Sequence, residues 1–401
     1  MKIVITGATG FVGQLLVLDL LAAGNTLLLV GRDIKKLAQV FPGVPVCEYA
    51  QMTEHGAYYD LLVHLAVANN DATLPERDFF SANVDFLLDV ARSAKRVGIK
   101  RFVNVSSVHA LDLRNTTAYA RSKREGAAAL AAEEGLVSET IYLPLVYGAR
   151  WAGKIKHLNV LPRPLAIFAF VPLAALKPTV HIEKLTAHIL ENATVLSDEL
   201  VILCDDQDLN PVYTYSKRLG DMTFAVVIIG LLGWFLLLIW IAIRLESPGP
   251  GIFAQPRVGK GGEVFTCYKF RTMKQGTEQA GTHEVSAAAV TKLGAFMRKT
   301  KIDELPQVWN ILRNEISLIG PRPCLPVQDE LIEARRSHGV FSVKPGISGL
   351  AQINGIDMSE PETLARWDTR YIALRSFLLD LKIAFATATG SGQGDKTNTG
   401  I

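Results

Sequence analysis

Lys2-Ile3-Val4-Ile5-Thr6-Gly7-Ala8-Thr9-Gly10-Phe11-Val12-Gly13 reads as an apolar strand, a glycine turn and the start of a helix. An apolar helical run continues through Leu21, and a second strand follows at residues 26–30. Gly7 and Gly10 let backbone approach a pyrophosphate, Gly13 lets the helix pack close on the sheet, and the helix N-terminus faces the phosphates. Glycines interrupt the apolar run at once, so it does not read as a signal peptide. The second strand ends Val30-Gly31-Arg32-Asp33. An acid directly at that end would bond the ribose hydroxyls of NAD, whereas Arg32 suits the 2′-phosphate of NADP. A solvated Arg32 with Asp33 on the ribose stays open.

Further strands are expected at Asp60-Leu61-Leu62-Val63-His64-Leu65-Ala66 and Arg101-Phe102-Val103-Asn104-Val105-Ser106-Ser107. Tyr119 and Lys123 stand four residues apart, on one face of a helix. The ammonium lowers the phenol's pKa, which equips the tyrosine to exchange a proton with a sugar hydroxyl or ketone.

At 401 residues the chain should form two domains. With 49% apolar and 20% charged residues it should be ordered, and a net charge of +3 gives no sign of a nucleic-acid partner. Cys47, Cys204, Cys267 and Cys324 lack metal-ligand spacing and suit a reducing compartment. Residues 222–243 carry no charge and are long enough to cross a bilayer. A buried helix in a soluble core would seldom stay apolar all round for so long. The expected organisation is an NAD(P)-binding domain at 1–210, a juxtamembrane linker at 211–221 and a membrane-inserted helix at 222–244. A second α/β domain follows at 245–389, with a Gly-rich disordered tail at 390–401.

After the apolar helix come Ser247-Pro248-Gly249-Pro250, a rigid turn, and an alternating strand. Phe265, Cys267, Lys269 and Arg271 share one strand face, and two cations there suit a diphosphate or an ordinary solvated edge. Lys301-Ile302-Asp303-Glu304-Leu305-Pro306-Gln307 predicts a helix starting near Asp303, with Leu305, Val308, Trp309 and Leu312 at helical spacing. Asp303 would be kept ionised by the helix dipole and can attack phosphorus, while Glu304 can hold Mg²⁺; capping roles are the plain alternative. Ser317-Leu318-Ile319-Gly320-Pro321-Arg322-Pro323 and Val343-Lys344-Pro345-Gly346-Ile347-Ser348-Gly349-Leu350-Ala351-Gln352-Ile353-Asn354-Gly355 are Gly/Pro loops, each with one cation, able to face phosphate or simply to turn the chain.

Two resemblances follow from these pieces. Residues 1 to 200 resemble the extended short-chain dehydrogenase/reductases of the nucleotide-sugar epimerase/dehydratase type. The match rests on Thr6 to Gly13, His64-Leu65-Ala66, Ser106-Ser107, Tyr119 and Lys123, Leu143-Pro144-Leu145-Val146-Tyr147-Gly148 and Val180-His181-Ile182-Glu183-Lys184-Leu185. The resemblance implies a doubly wound parallel sheet, with Tyr119 as acid/base, Lys123 as its partner and Ser107 as donor to the reacting oxygen. It implies cofactor contacts at Gly7, Thr9, Gly10, Phe11, Val12, Gly13, Arg32, His64 and Ala66. Residues 217 to 387 resemble the bacterial monotopic phosphoglycosyl transferases, through the motifs above taken in order and the closing Asp380-Leu381-Lys382. That resemblance implies Asp303 as nucleophile, Glu304 as Mg²⁺ ligand, and Lys269, Arg271, Arg298 and Arg322 as phosphate contacts.

The combined expectation is a fusion enzyme. Its C-terminal half would pass a sugar 1-phosphate from a UDP-sugar to polyprenyl phosphate, and its N-terminal half would reduce a UDP-4-keto sugar with NADPH. A C4-epimerase and a non-catalytic nucleotide-sugar-binding module are the alternatives for the N-terminal half. Cations flank the apolar helix at both ends, Lys217 and Arg218 before it and Arg244, Arg257 and Lys260 after it. The positive-inside rule then favours a re-entrant helix in the bacterial inner membrane with both domains cytosolic. A homodimer is left open.

Overall fold

The computed structural model describes residues 1–68, 74–191, 200–274 and 289–390. The Gly-rich tail lies, from residue 391 on, outside the described residues. The chain divides into two compact units: Met1–Phe170 with Pro178–Asp205, and Val171–Lys177 with Asp206–Ile401.

In the first unit seven parallel strands form one sheet: β1 (Lys2–Thr6), β2 (Thr26–Val30), β3 (Val46–Cys47), β4 (Leu61–His64), β5 (Arg101–Ser107), β6 (Val137–Leu143) and β9 (Val201–Ile202). Their order is β3-β2-β1-β4-β5-β6-β9, the doubly wound arrangement whose strand order reverses beside β1. Strand alternation builds both faces. Ile3, Ile5, Leu27 and Leu29 pack with Leu15, Leu16 and Leu20 of the first helix, Phe11–Ala22. Val4, Leu28, Val30, Leu62 and Phe102 pack on the other face with Leu87, Val90 and Ala94. The sheet is therefore apolar on both sides, as a parallel sheet covered by helices must be. A small parallel pair, β7 (Leu145–Tyr147) and β8 (Thr179–His181), follows.

The second unit starts five residues before the expected domain boundary. Asp206 and Asp208 pair with Arg375, and Asn210 donates to the Val171 carbonyl, so these residues are tied to the C-terminal unit. One helix then runs from Pro211 to Glu246, 36 residues or about 54 Å. The segment 211–221, expected as a linker, is its first three turns. Asn210 caps the backbone N–H groups of Val212 and Tyr213, and Pro211 occupies the first turn, where its missing N–H costs nothing. Phe224, Ala225 and Ile228 are covered by Val308, Ile311 and Ile316. Phe235, Leu236, Ile239, Trp240 and Ile243 are covered by Phe270, Met297 and their neighbours. Leu231, Trp234, Leu237 and Leu238 point outward and are exposed.

The hairpin β10 (Ile252–Val258) and β11 (Val264–Phe270) is antiparallel, turned by Gly261 and Gly262 at positive φ. β12 (Ser317–Ile319) and β13 (Gly346–Ser348) form a parallel pair, packed by the helices Pro361–Leu374 and Phe377–Ala388.

Candidate functional site

In the second unit the chain turns sharply before Asp303. Lys301 lies in the left-handed region at φ 57°, ending the helix Lys292–Thr300 and opening a tight turn, Ile302–Gln307. The α-helix itself begins only at Val308 and is five residues long. Pro306 explains the difference from the expected start at Asp303, since it offers no N–H and crowds the carbonyl four residues back. So short a helix does not orient Asp303 by its dipole. Burial, together with the Glu304 charge, pushes the Asp303 carboxyl up to about 6, against Lys269, Arg298 and Arg322.

Glu304 is the centre of the cluster. Its Oε1 accepts from Lys269 Nζ at 2.9 Å and from Arg322 Nη2 at 3.0 Å. Burial alone would raise its pKa, but the two cations hold it well below the usual carboxylate range. The adjacent recess is lined by Arg257, Cys267, Lys269, Glu304, Gln307 and Arg322 among others. Three cations therefore face one carboxylate, an excess of positive charge suited to a diphosphate.

Arg257, considered above only as a flanking charge, is part of this recess. Its Nη1 donates to the Pro323 carbonyl at 2.9 Å, and its Nε and Nη2 donate to Gln255 Oε1. Arg335 was missed altogether. It is buried, donates twice to Asp368 Oδ2 (3.1 and 2.7 Å) and once to the backbone carbonyl of Arg322 (2.7 Å). It thereby fixes the loop that carries Arg322.

Arg271 stands elsewhere than its expected phosphate role. β11 ends at Phe270, so strand alternation no longer governs residue 271. Its guanidinium donates to the carbonyls of Ser247 and Pro248 and to Ser247 Oγ, clamping the C-terminus of the long helix and the turn beyond it. Arg298 donates to Thr272 Oγ1 at 3.0 Å and lies close enough to Asp303 to stabilise its charge. Lys344 donates to Asn314 and is not among the residues lining the recess. Lys217 and Arg218 are also committed internally, to Asp380 and to the carbonyls of Ile311 and Leu312.

The first unit carries the glycine turn, Tyr119 and Lys123. Gly7 has φ 75°, and a methyl there would lie 2.5 Å from the Ala66 nitrogen. A methyl on Gly13 would lie 2.5 Å from the Gly7 carbonyl oxygen, so helix and turn touch backbone to backbone. The Phe11–Ala22 helix has no side-chain cap at Gly10, which leaves first-turn N–H groups at Phe11 and Val12 available to an anion. Thr9 accepts from Gln14 through its carbonyl, closing the turn. Arg32 is exposed, while the Asp33 carboxylate is used to cap Lys36.

His64 departs from its expected role as a cofactor contact. It is buried beneath the turn, bonded through Nδ1 to Thr6 Oγ1 at 2.9 Å and stacked on Phe102. Burial, with Lys123 nearby, lowers its pKa to about 3. Tyr119 lies half-buried between Phe79 and His109. Lys123, on the same helix, is buried with Nζ directed to the Val105 carbonyl, and burial lowers its pKa to about 7. Ser107 ends β5 and accepts from the His109 N–H.

Residues 212–392 match the bacterial sugar transferase family, and residues 3–167 match the NAD dependent epimerase/dehydratase family. The transferase part is 41% identical over 175 residues to the uncharacterized sugar transferase EpsL of Bacillus subtilis, covering 43% of this chain and 84% of that one. It is 39% identical to an Aeromonas hydrophila UDP-N-acetylgalactosamine-undecaprenyl-phosphate N-acetylgalactosaminephosphotransferase, covering 44% of each chain. It is 38% identical to an Escherichia coli UDP-glucose:undecaprenyl-phosphate glucose-1-phosphate transferase, covering 45% of this chain and 41% of the relative. The chain thus spans less than half the length of these last two. Among solved structures, the Bordetella bronchiseptica enzyme WbmH in complex with NAD⁺ is similar at TM-score 0.41 and 17% identity, covering 55% of this chain and 81% of that one.

Proposed function

Because this chain belongs, through residues 212–392, to the bacterial sugar transferases, we propose that it transfers a sugar 1-phosphate from a UDP-sugar to undecaprenyl phosphate through a covalent Asp303 intermediate. The observation that carries this reading is the recess in which Glu304 is held by Lys269 and Arg322, with Asp303 next to Glu304 in the chain and within the charge influence of the same two cations. The diphosphate of the donor sits among Lys269, Arg322 and Arg257. An Asp303 oxygen attacks the sugar-bearing phosphorus, the bond to the bridging oxygen breaks, and UMP leaves. An oxygen of polyprenyl phosphate then attacks the same phosphorus, and the Asp303 carboxylate is released. The product initiates assembly of a surface glycan.

Glu304 fits a Mg²⁺ site of a particular kind. Among the described residues no cluster of three acidic, His or Cys groups exists. A single ionised carboxylate is the donor set of a Mg²⁺ ion shared with substrate phosphates. When bound, the ion would neutralise diphosphate charge.

The N-terminal unit is read as an NADP-dependent reductase of a UDP-4-keto sugar. Support comes from the glycine turn with its uncapped helix, from exposed Arg32, and from Asp33 being occupied as a cap. Tyr119 would protonate the developing alkoxide, and Lys123 would supply the electrostatic support. The match to an epimerase/dehydratase family favours a second reading, a UDP-sugar C4-epimerase with tightly held NAD.

The long helix is read as inserting from the cytoplasmic face of the inner membrane without crossing it, with both units cytosolic. Support comes from its packing: both ends of the apolar stretch are covered by the same unit, and the exposed row lies between and around them.

Two assays decide the matter. Asp303→Asn should abolish the radiolabelled sugar-phosphate adduct and all lipid product; undiminished transfer would end the proposal. A UDP-4-keto-6-deoxy sugar should consume NADPH absorbance; constant NADPH with C4 interconversion of a UDP-hexose would install the epimerase.

A further inference from the structure

Between Glu139 and Glu183 the chain contains no acidic residue, although about one residue in ten is acidic overall. Within that interval Arg150, Lys154, Lys156 and Arg163 are all exposed. None of the four forms an ion pair among the described residues. The same stretch leaves large apolar side chains bare: Val160 is 85% exposed, Phe168 79% and Leu165 56%, with Leu161 and Ile167 beside them.

Local structure explains why the apolar side chains are left outside, and the cations adjoin them in the chain. The helix Arg163–Leu176 turns Ala166 and Phe170 inward, and the Phe170 ring packs at a tilt against Tyr147 and Trp151, with centroids 4.6 and 5.9 Å away. That anchor leaves Leu165 and Phe168, three apart on the helix, facing outward, with Val160 and Leu161 exposed just before it. The cations precede this row or stand at its start.

Four occupants are conceivable for a bare apolar row flanked by unpaired cations. A second copy would set the same cations against themselves, which is costly. Nucleic acid would satisfy the cations but leave Val160, Leu165 and Phe168 in water. An acidic protein would need an apolar strip of matching length. An anionic lipid surface satisfies both features at once, with cations at the phosphates and the row in the acyl boundary.

We propose that residues 150–168 are a second membrane contact, by which the N-terminal unit rests on an anionic lipid surface. This rests on the insertion of the long helix proposed above. The N-terminal unit then works at the headgroup layer, and its nucleotide-sugar product is released there.

The test uses the full chain reconstituted into vesicles, with Cys204→Ser so that the remaining native cysteines are the buried ones. An environment-sensitive fluorophore is attached after Phe168→Cys, after Leu231→Cys in the long helix, or after Tyr58→Cys, an 88% exposed site in the first unit. Vesicles are phosphatidylethanolamine with phosphatidylglycerol, or phosphatidylcholine alone, each with a shallow spin-labelled lipid. The probe at 168 should be quenched about twofold in the phosphatidylglycerol vesicles. Quenching should be largely lost in phosphatidylcholine and in the Lys154→Glu/Lys156→Glu/Arg163→Glu variant. The probe at 231 should be quenched throughout and the probe at 58 never. An unquenched probe at 168 with a quenched probe at 231 overturns this inference alone, and no quenching at either overturns it together with the insertion of the helix. Quenching at 168 that is equal in both lipids removes the charge argument and the inference with it. A blue shift that follows protein density without quenching assigns the row to a second copy and likewise overturns it.

Discussion

Arg335→Met tests how the Arg322 loop is held. Arg335 and Asp368 are both at least 97% buried at the side chain, and three donor bonds leave the one guanidinium. Burial pushes the Asp368 carboxyl up to about 6 even with Arg335 opposing it. Removing the guanidinium leaves a buried carboxylate without its counter-charge, at a cost of about 3–5 kcal/mol. In a unit of this size that lowers the melting temperature by about 6–20 °C. Replacing both partners, Arg335→Met with Asp368→Leu, removes charge and counter-charge together and should return stability to within about 1 kcal/mol of the parent. Activity should not return with it, because the Arg322 carbonyl still lacks its donor. A guanidinium displaced by about 1 Å from its phosphate costs on the order of 100-fold in rate. Thermal melts of the detergent-solubilised chain and single-turnover transfer of labelled sugar phosphate read the two effects separately. Single variants that melt within about 2 °C of the parent, or a double variant with full transfer, would refute the reasoning.

Three further outcomes are expected. Adduct formation should rise with pH through about 6 and flatten above it, because burial and Glu304 raise the Asp303 pKa and only the ionised carboxylate attacks; a flat profile across roughly pH 5–8 in rapid-quench measurements contradicts this. Gly7→Ala should weaken NADPH binding by at least about tenfold, since the new methyl meets the Ala66 nitrogen at 2.5 Å and φ is 75°, while transfer by the C-terminal unit stays near the parent rate. Arg271→Leu should lower the melting temperature by about 5 °C or more without raising the KM for UDP-sugar, because its bonds go to Ser247 and Pro248; an unchanged melt with a raised KM would return Arg271 to the substrate.

What was legible in the sequence was what local chemistry dictates. Residues 2–13 specify strand, turn and helix within one window, and the turn glycines are required by contacts with residues they neighbour in the fold. Asp303 and Glu304 were visible because they stand together before Pro306. Arg335 was not, since its meaning depends on Asp368, 33 positions away, and on a carbonyl 13 positions back. Arg257 likewise acquires its place through Pro323, 66 positions on. Arg271 misled because alternation was carried one residue past the end of β11. His64 misled because a polar residue at a strand end looks like a ligand contact until its burial is known.

The order in which the long helix and its covering residues are made has a consequence for biosynthesis. The helix is complete at Glu246, but Met297, Val308, Ile311 and Ile316, which cover its inner face, come later, Ile316 being 70 residues further on. At ordinary elongation rates that delay is on the order of ten seconds. During it, the inner face of the uncharged stretch 222–243 lacks the residues that later cover it. The helix therefore exists before the residues that cover it, and on the insertion proposed above it would meet lipid before its own unit is complete.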